Sequence, residues 1–117
     1  MPKWQSLINA GEAGLMYCAC YRFALLDAPD AEARFMTAWS GITEFFKANA
    51  GALGSRLHKG SDGAFYAYAQ WPDKDTYDAA GQVKPTQDFM QHRLEWAEIC
   101  APSEVLFEGE MITDLFV

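Results

Sequence analysis

The spacing of apolar positions along the chain predicts seven elements of secondary structure. GLMYCACYRFALL, residues 14–26, is a nearly unbroken apolar run that holds one charge. Its aromatic content, and the DAPD break at 27–30, favour a strand buried on both faces over a helix. In DAEARFMTAWSGITEFFKAN, residues 30–49, Phe35, Trp39, Ile42 and Phe46 recur at helical spacing and form one stripe. Asp30 is placed to cap this helix and Gly51 to end it. LGSRLHK, 53–59, and AFYAYAQW, 64–71, read as two strands joined at the turn signal GSDG, 60–63. Pro72 suits a helix entry, and a short helix over 73–81 follows with acids in its first turn. A further helix, 86–101, has Thr86 as its cap, a predicted buried stripe of Met90, Leu94 and Ala97, and Pro102 as its stop. VLFEGEMITDLFV, 105–117, is a final strand with Gly109 as a bulge or bend. Residues 1–12 read as an N-terminal extension ahead of one domain over 13–117.

The order β-α-β-β-α-β, with the second helical region in two pieces, is the split βαβ, ferredoxin-like arrangement of the α+β class. It implies a four-stranded antiparallel sheet with helices on one face. The first and third strands, 14–26 and 64–71, should be central, and they are the most apolar. Both carry apolar residues on both faces. Tyr17, Ala19, Tyr21 and Phe23 alternate with Met16, Cys18 and Cys20; Phe65, Ala67, Ala69 and Trp71 alternate with Ala64, Tyr66 and Tyr68. Helices on one side leave the other face wet. Covering several hundred Å² of it is worth on the order of 10 kcal/mol before association costs. A second copy of the chain is the expected cover, with a pocket between the two sheets.

Composition narrows the partners. The chain has 117 residues, half of them apolar and 15% aromatic, which supports a real core. Its net charge is −7 and its basic residues are scattered, unlike a nucleic-acid-binding surface or a site for anionic membranes. The N-terminal residues lack a basic region followed by an apolar run, and no apolar run reaches membrane-spanning length; a cytoplasmic protein is expected. The three cysteines, Cys18, Cys20 and Cys100, are an odd number and suggest reduced thiols. A zinc site usually needs four ligands, and only His58 and His92 could add imidazoles to the C-x-C pair, so no metal is expected.

RLHKGSDGAFYAYAQWPDKDTYDAA, residues 56–80, resembles the antibiotic biosynthesis monooxygenase family. The shared features are a hairpin, a strand ending in Trp, and a short helix that carries an aromatic residue. The resemblance implies a homodimeric α/β barrel built from the ferredoxin-like fold. It further implies an oxygenase working without metal or flavin, which binds a small aromatic or polyketide-like phenol and lets its anion react with dioxygen. Trp71 then matches a Trp lining the substrate pocket, and Tyr77 an aromatic position in the following helix. The quinone-forming members have an Asn four residues before the Trp; this chain has Ala67. The haem-degrading members resemble a pattern with an Asn on the first strand and a His about ten residues beyond the Trp; here the first strand has no Asn and residue 81 is Gly.

Taken with the resemblance, the catalytic candidates are Trp71, Tyr77 and Arg22. Arg22 is a charge inside an apolar strand and needs a partner: a substrate anion, or an acid across the dimer. Tyr17, Tyr21, Tyr66, Tyr68 and His92 are candidates for substrate binding. Tyr66 and Tyr68 have opposite parity to Trp71 and are expected more often against the helices than against a ligand. His92 falls outside the predicted stripe and reads as a surface residue that could reach a pocket. The rival reading is a binding or structural dimer with the same fold and no turnover.

Overall fold

A computed structural model of the protein describes residues 16–115. Residues 1–12, the start of the predicted first strand and the end of the predicted last one lie outside that range. The elements are β1 (Tyr17–Phe23), α1 (Ala31–Asn49), β2 (Gly54–Lys59), β3 (Phe65–Trp71), α2 (Lys74–Ala79), a 3₁₀ turn (Ala80–Gln82), α3 (Gln87–Ile99) and β4 (Glu104–Glu110). The sheet runs β2-β3-β1-β4 and every pair is antiparallel. This is the expected ferredoxin-like fold, with the two most apolar strands at its centre. No helix among the described residues is long and apolar enough to cross a membrane.

Register fixes the two faces. Tyr17, Ala19, Tyr21 and Phe23 sit opposite Trp71, Ala69, Ala67 and Phe65. This face packs under α1 and α3. Its core holds Phe23, Phe35, Phe65, Ala67, Ile99 and Cys100, with Trp39, Trp96 and Leu57 against it. Phe35 stands 5.6 Å from Phe23, 5.1 Å from Phe65 and 4.9 Å from Trp96, ring centre to ring centre. The other face carries Cys20 and Arg22 opposite Tyr68 and Tyr66, and Phe107 beside Cys20. Tyr66 and Tyr68 therefore lie away from the helices, contrary to the packing expected for them.

Several boundaries and faces differ from the sequence reading. β1 ends at Phe23, and beyond it Leu25 makes only an isolated bridge to Cys100. β4 ends at Glu110, so residues 111–115 are not strand. Its irregularity is not at Gly109, which pairs normally with Cys18. Tyr17 to Cys20 pair with Glu110 to Phe107, but Tyr21 pairs with Val105, leaving Leu106 as the extra residue of a bulge. On α3, Met90 and Leu94 are 49% and 66% exposed, and Ala97 is exposed too. The inward residues are Phe89, His92, Trp96 and Ile99. His92 lies against α1 at Gly41, where an added Cβ would come within 2.2 Å of its Nε2. A polar ring facing a glycine gap gives no apolar signal, so the apolar spacing of Met90, Leu94 and Ala97 points to a face that is in fact exposed.

The α1 stripe holds with one refinement. Phe35, Ala38, Ile42 and Phe45 are the buried row, while Trp39 and Phe46 flank it and are less buried. Asp30 sits at the N-cap with φ 53°, and its side chain makes no capping bond. Its carbonyl accepts from the Arg34 N–H instead. At the other end Gly51, with φ 80°, takes the left-handed conformation that ends the helix.

Candidate functional site

A cavity of about 250 Å³ opens between the helix-side face of the sheet and the helices above it. The sheet supplies Tyr21, Ala67, Ala69 and Trp71; α1 supplies Trp39, Ile42 and Phe46; α3 supplies Arg93 and Trp96. It lies within one protomer, on the opposite side of the sheet from the pocket expected between two copies. The lining is mostly aromatic and aliphatic, which suits a flat apolar ligand. A second, more polar hollow of about 360 Å³ shares Trp39, Thr43, Gly54 and Ser55 with it and adds Lys47, Arg56, Tyr68 and Gln70.

Trp71 ends β3 as a core-facing residue. Its ring meets Phe46 at 5.9 Å and Tyr77 at 5.5 Å, both edge-on. Its indole N–H is buried and has no acceptor, the one such side-chain group among the described residues. Leaving a buried donor unmade costs about 1–3 kcal/mol, so the group calls for an explanation.

Beside Trp71 runs a chain of hydroxyls. Asp73 caps α2 by accepting from the Thr76 N–H at 2.7 Å, which starts the helix directly after β3. That placement brings Tyr77 over Tyr17, 5.1 Å between ring centres. The Tyr77 hydroxyl donates to Glu108 Oε1 at 2.6 Å, and Tyr21 lies 3.0 Å from the same hydroxyl. Tyr17 donates to the other carboxylate oxygen at 3.4 Å. Burial first, then the bond to Glu108, pushes the Tyr77 hydroxyl far above the usual phenol range. Burial also raises Tyr21, although its bond to Tyr77 opposes the shift.

Trp71, Tyr77, Tyr17 and Tyr21 thus come together as one cluster. The other candidates do not join it. Arg22 lies on the open sheet face, and its partners belong to its own chain: Asp62 at 3.5 Å and Glu104 at 3.9 Å, with Nε donating to the Tyr66 hydroxyl at 3.3 Å. Tyr66 donates to Asp62 at 2.7 Å, and Tyr68 to the Cys18 thiol at 2.9 Å. His92 is wedged between helices and does not line the cavity. The cysteines are free, and among the described residues no cluster of His, Cys, Asp and Glu could hold a metal ion.

Two site residues carried no sequence signal of their own. Arg93 lines the cavity, is exposed, and has no ion-pair partner among the described residues, so it stands where the cavity meets solvent. Glu108 belongs to a Glu-x-Glu pair with Glu110 that follows the apolar run 105–107; that pairing was the available clue.

No family model and no curated protein matches the sequence. Solved structures do. SnoaB, a cofactor-independent oxygenase from Streptomyces nogalater, matches in a point-mutant form with TM-score 0.66 and 21% identity, over 87% of this chain and 98% of that one. The chain has the fold of that protein. A candidate antibiotic biosynthesis monooxygenase from Bordetella bronchiseptica gives TM-score 0.64 and 20% identity, over 83% and 97%. Another from Nitrosomonas europaea gives 0.61 and 18%, over 88% and 93%. Structures named as antibiotic biosynthesis monooxygenases thus share the architecture that residues 56–80 resemble.

Proposed function

We propose that the protein binds a small fused-ring phenol in the cavity between sheet and helices and promotes its oxygenation by dioxygen. It would act as an antibiotic biosynthesis monooxygenase-type enzyme without metal or flavin. The observation that carries this reading is the apolar cavity walled by Tyr21, Trp39, Trp71 and Trp96, with the Arg93 cation at its edge. The walls suit a flat ring, and Arg93 brings a positive charge to hold a phenolate. The fold likeness to a cofactor-independent oxygenase supplies the reaction class.

The chemistry balances with the substrate as its own reductant. The ionised phenol gives one electron to dioxygen, the two radicals join at a ring carbon that bears hydrogen, and the resulting peroxide anion takes up a proton from water to give a hydroperoxide. Loss of water leaves a quinone carbonyl. One oxygen atom ends in the product and one in water. In this chain Ala67 stands where the resemblance expects an amide, so hydrogen bonding to the substrate falls to Tyr21 and Arg93.

Oxygen uptake with a panel of anthrones and naphthols, in the presence of a chelator, tests the reading. Uptake should appear with at least one of them. Ala67→Leu, which fills the cavity, should weaken ligand binding at least tenfold while circular dichroism shows the fold retained; the added volume costs stability about 1–3 kcal/mol. Uptake and binding that ignore this change would place the chemistry elsewhere. Ala67 also favours a second reading, a binding protein without turnover. Ligand-dependent quenching of tryptophan fluorescence with no oxygen consumption would select it.

We also propose that a second copy covers the open sheet face, as in a dimeric α/β barrel. Support comes from Phe107, which lies on that face and is 51% exposed, and from Leu106 at the neighbouring bulge, 48% exposed. Sedimentation at micromolar concentration should give twice the 13.1 kDa chain mass. A stable monomer overturns the dimer and leaves the cavity untouched, because the cavity is built within one protomer.

A further inference from the structure

We infer that Tyr21, Tyr77 and Glu108 form a proton outlet, which passes the proton of an ionising ligand from the cavity to solvent. The inference rests on the binding reading above and assigns roles that the cavity walls alone do not show. Tyr21 lines the cavity, whereas Glu108 is exposed. Tyr77 bridges them, at 3.0 Å to Tyr21 and 2.6 Å to Glu108.

Proton counting sets the direction. Tyr77 has one hydroxyl hydrogen, and the short contact commits it to the carboxylate. Its oxygen must then accept from Tyr21. The Tyr21 oxygen keeps a lone pair for a donor in the cavity. When a bound phenol or anthrone ionises, its proton passes to Tyr21, that of Tyr21 to Tyr77, and that of Tyr77 to Glu108. The ligand becomes an anion, Glu108 becomes neutral, and water takes the proton away. No electrons move in these steps. Tyr77, held protonated far above neutrality, hands protons on without storing them.

The bulge at Leu106 makes this possible. It lets Val105 and Glu108 lie on the same side of the sheet, and the carboxylate reaches Tyr77 of α2. Other charged and titratable groups also border the outlet. Tyr17 shares the carboxylate, Glu110 follows on the same face of β4, and Lys74 and Asp78 of α2 act on Tyr17 with opposite signs. Glu108 and Tyr77 act through Tyr21 and are positioning residues rather than catalytic ones.

Anaerobic exchange of the anthrone methylene hydrogens in deuterated buffer, followed by NMR, reads the outlet without any oxygen chemistry. Wild-type protein should speed exchange above the buffer rate. Glu108→Gln and Tyr77→Phe should each slow exchange at least tenfold, with anthrone affinity, read from tryptophan quenching, changed less than threefold. The double variant should be no slower than either single one. Glu108→Asp should restore part of the rate. Exchange as fast in Glu108→Gln as in wild type, or additive losses in the double variant, overturns the outlet. Exchange that behaves as expected without oxygen uptake overturns the oxygenase reading alone. Absence of anthrone binding overturns the cavity reading and the outlet with it.

Discussion

Phe35→Ala should cost about 3–5 kcal/mol, the range for deleting a buried aromatic ring. The ring is fully buried and touches β1, β3 and α3 at once, through Phe23, Phe65 and Trp96. Truncation therefore opens a void where sheet and both long helices meet, and no one element can close it. Domains of this size are stable by about 5–15 kcal/mol, so the variant should keep little of its folded population on warming. Urea denaturation followed by circular dichroism measures the loss. The companion change is Leu94→Ala, which a helix stripe through Met90 and Leu94 would place in the core. Leu94 is 66% exposed, so its loss should stay within about 0.5 kcal/mol. Comparable losses in the two variants would mean that α3 presents its other face to the sheet.

That pair of substitutions separates what the sequence conveyed from what it could not. Alternation in AFYAYAQW and the unbroken run before it located both central strands, because a buried strand must be apolar wherever its side chains point. Phe35 and Ile42 marked the inward side of α1 for the same reason. The α3 face was harder. Its inward row includes His92, which packs against Gly41, and neither residue is apolar enough to register. Meanwhile Met90, Leu94 and Ala97 keep helical spacing on the outer side. An aromatic residue on a strand looks alike on either face, so only the register of Tyr66 and Tyr68 with Arg22 and Cys20 shows that they point away from the helices.

The site divided along similar lines. Trp71 and Tyr77 lie close in sequence, at a strand end and the helix it feeds, so a local pattern held them. Glu108 reaches Tyr77 from 31 positions away, and only after an extra residue in β4 shifts its side. Arg22, a charge in an apolar strand, suggested an unmet need. Asp62 in the hairpin turn and Glu104 at the start of β4 meet it within the chain. Long-range pairing of this kind depends on register, which composition and spacing leave open.

The largest functional effect should come from Arg93→Gln. Arg93 is the cation that lines the cavity from α3, with no acid holding it in place among the described residues. A hydrogen bond to a charged group contributes about 1.5–3 kcal/mol, which corresponds to a tenfold to hundredfold loss of phenolate affinity. The pH dependence gives the sign. If Arg93 favours the anion, the bound phenol ionises at lower pH than the free one, and wild-type affinity rises as pH climbs toward the ligand's own pKa. In Arg93→Gln that rise should shrink or disappear. A methyl ether of the same phenol cannot ionise, so its affinity should be low in both proteins and change little between them. Titrating tryptophan fluorescence with the phenol and with its ether, at several pH values, measures all three expectations. Oxygen uptake should fall in step with phenolate affinity, because the anion is the species that gives up the electron. Equal affinity for the phenolate in wild type and variant would make Arg93 a surface charge and leave Tyr21 as the stabiliser of the anion.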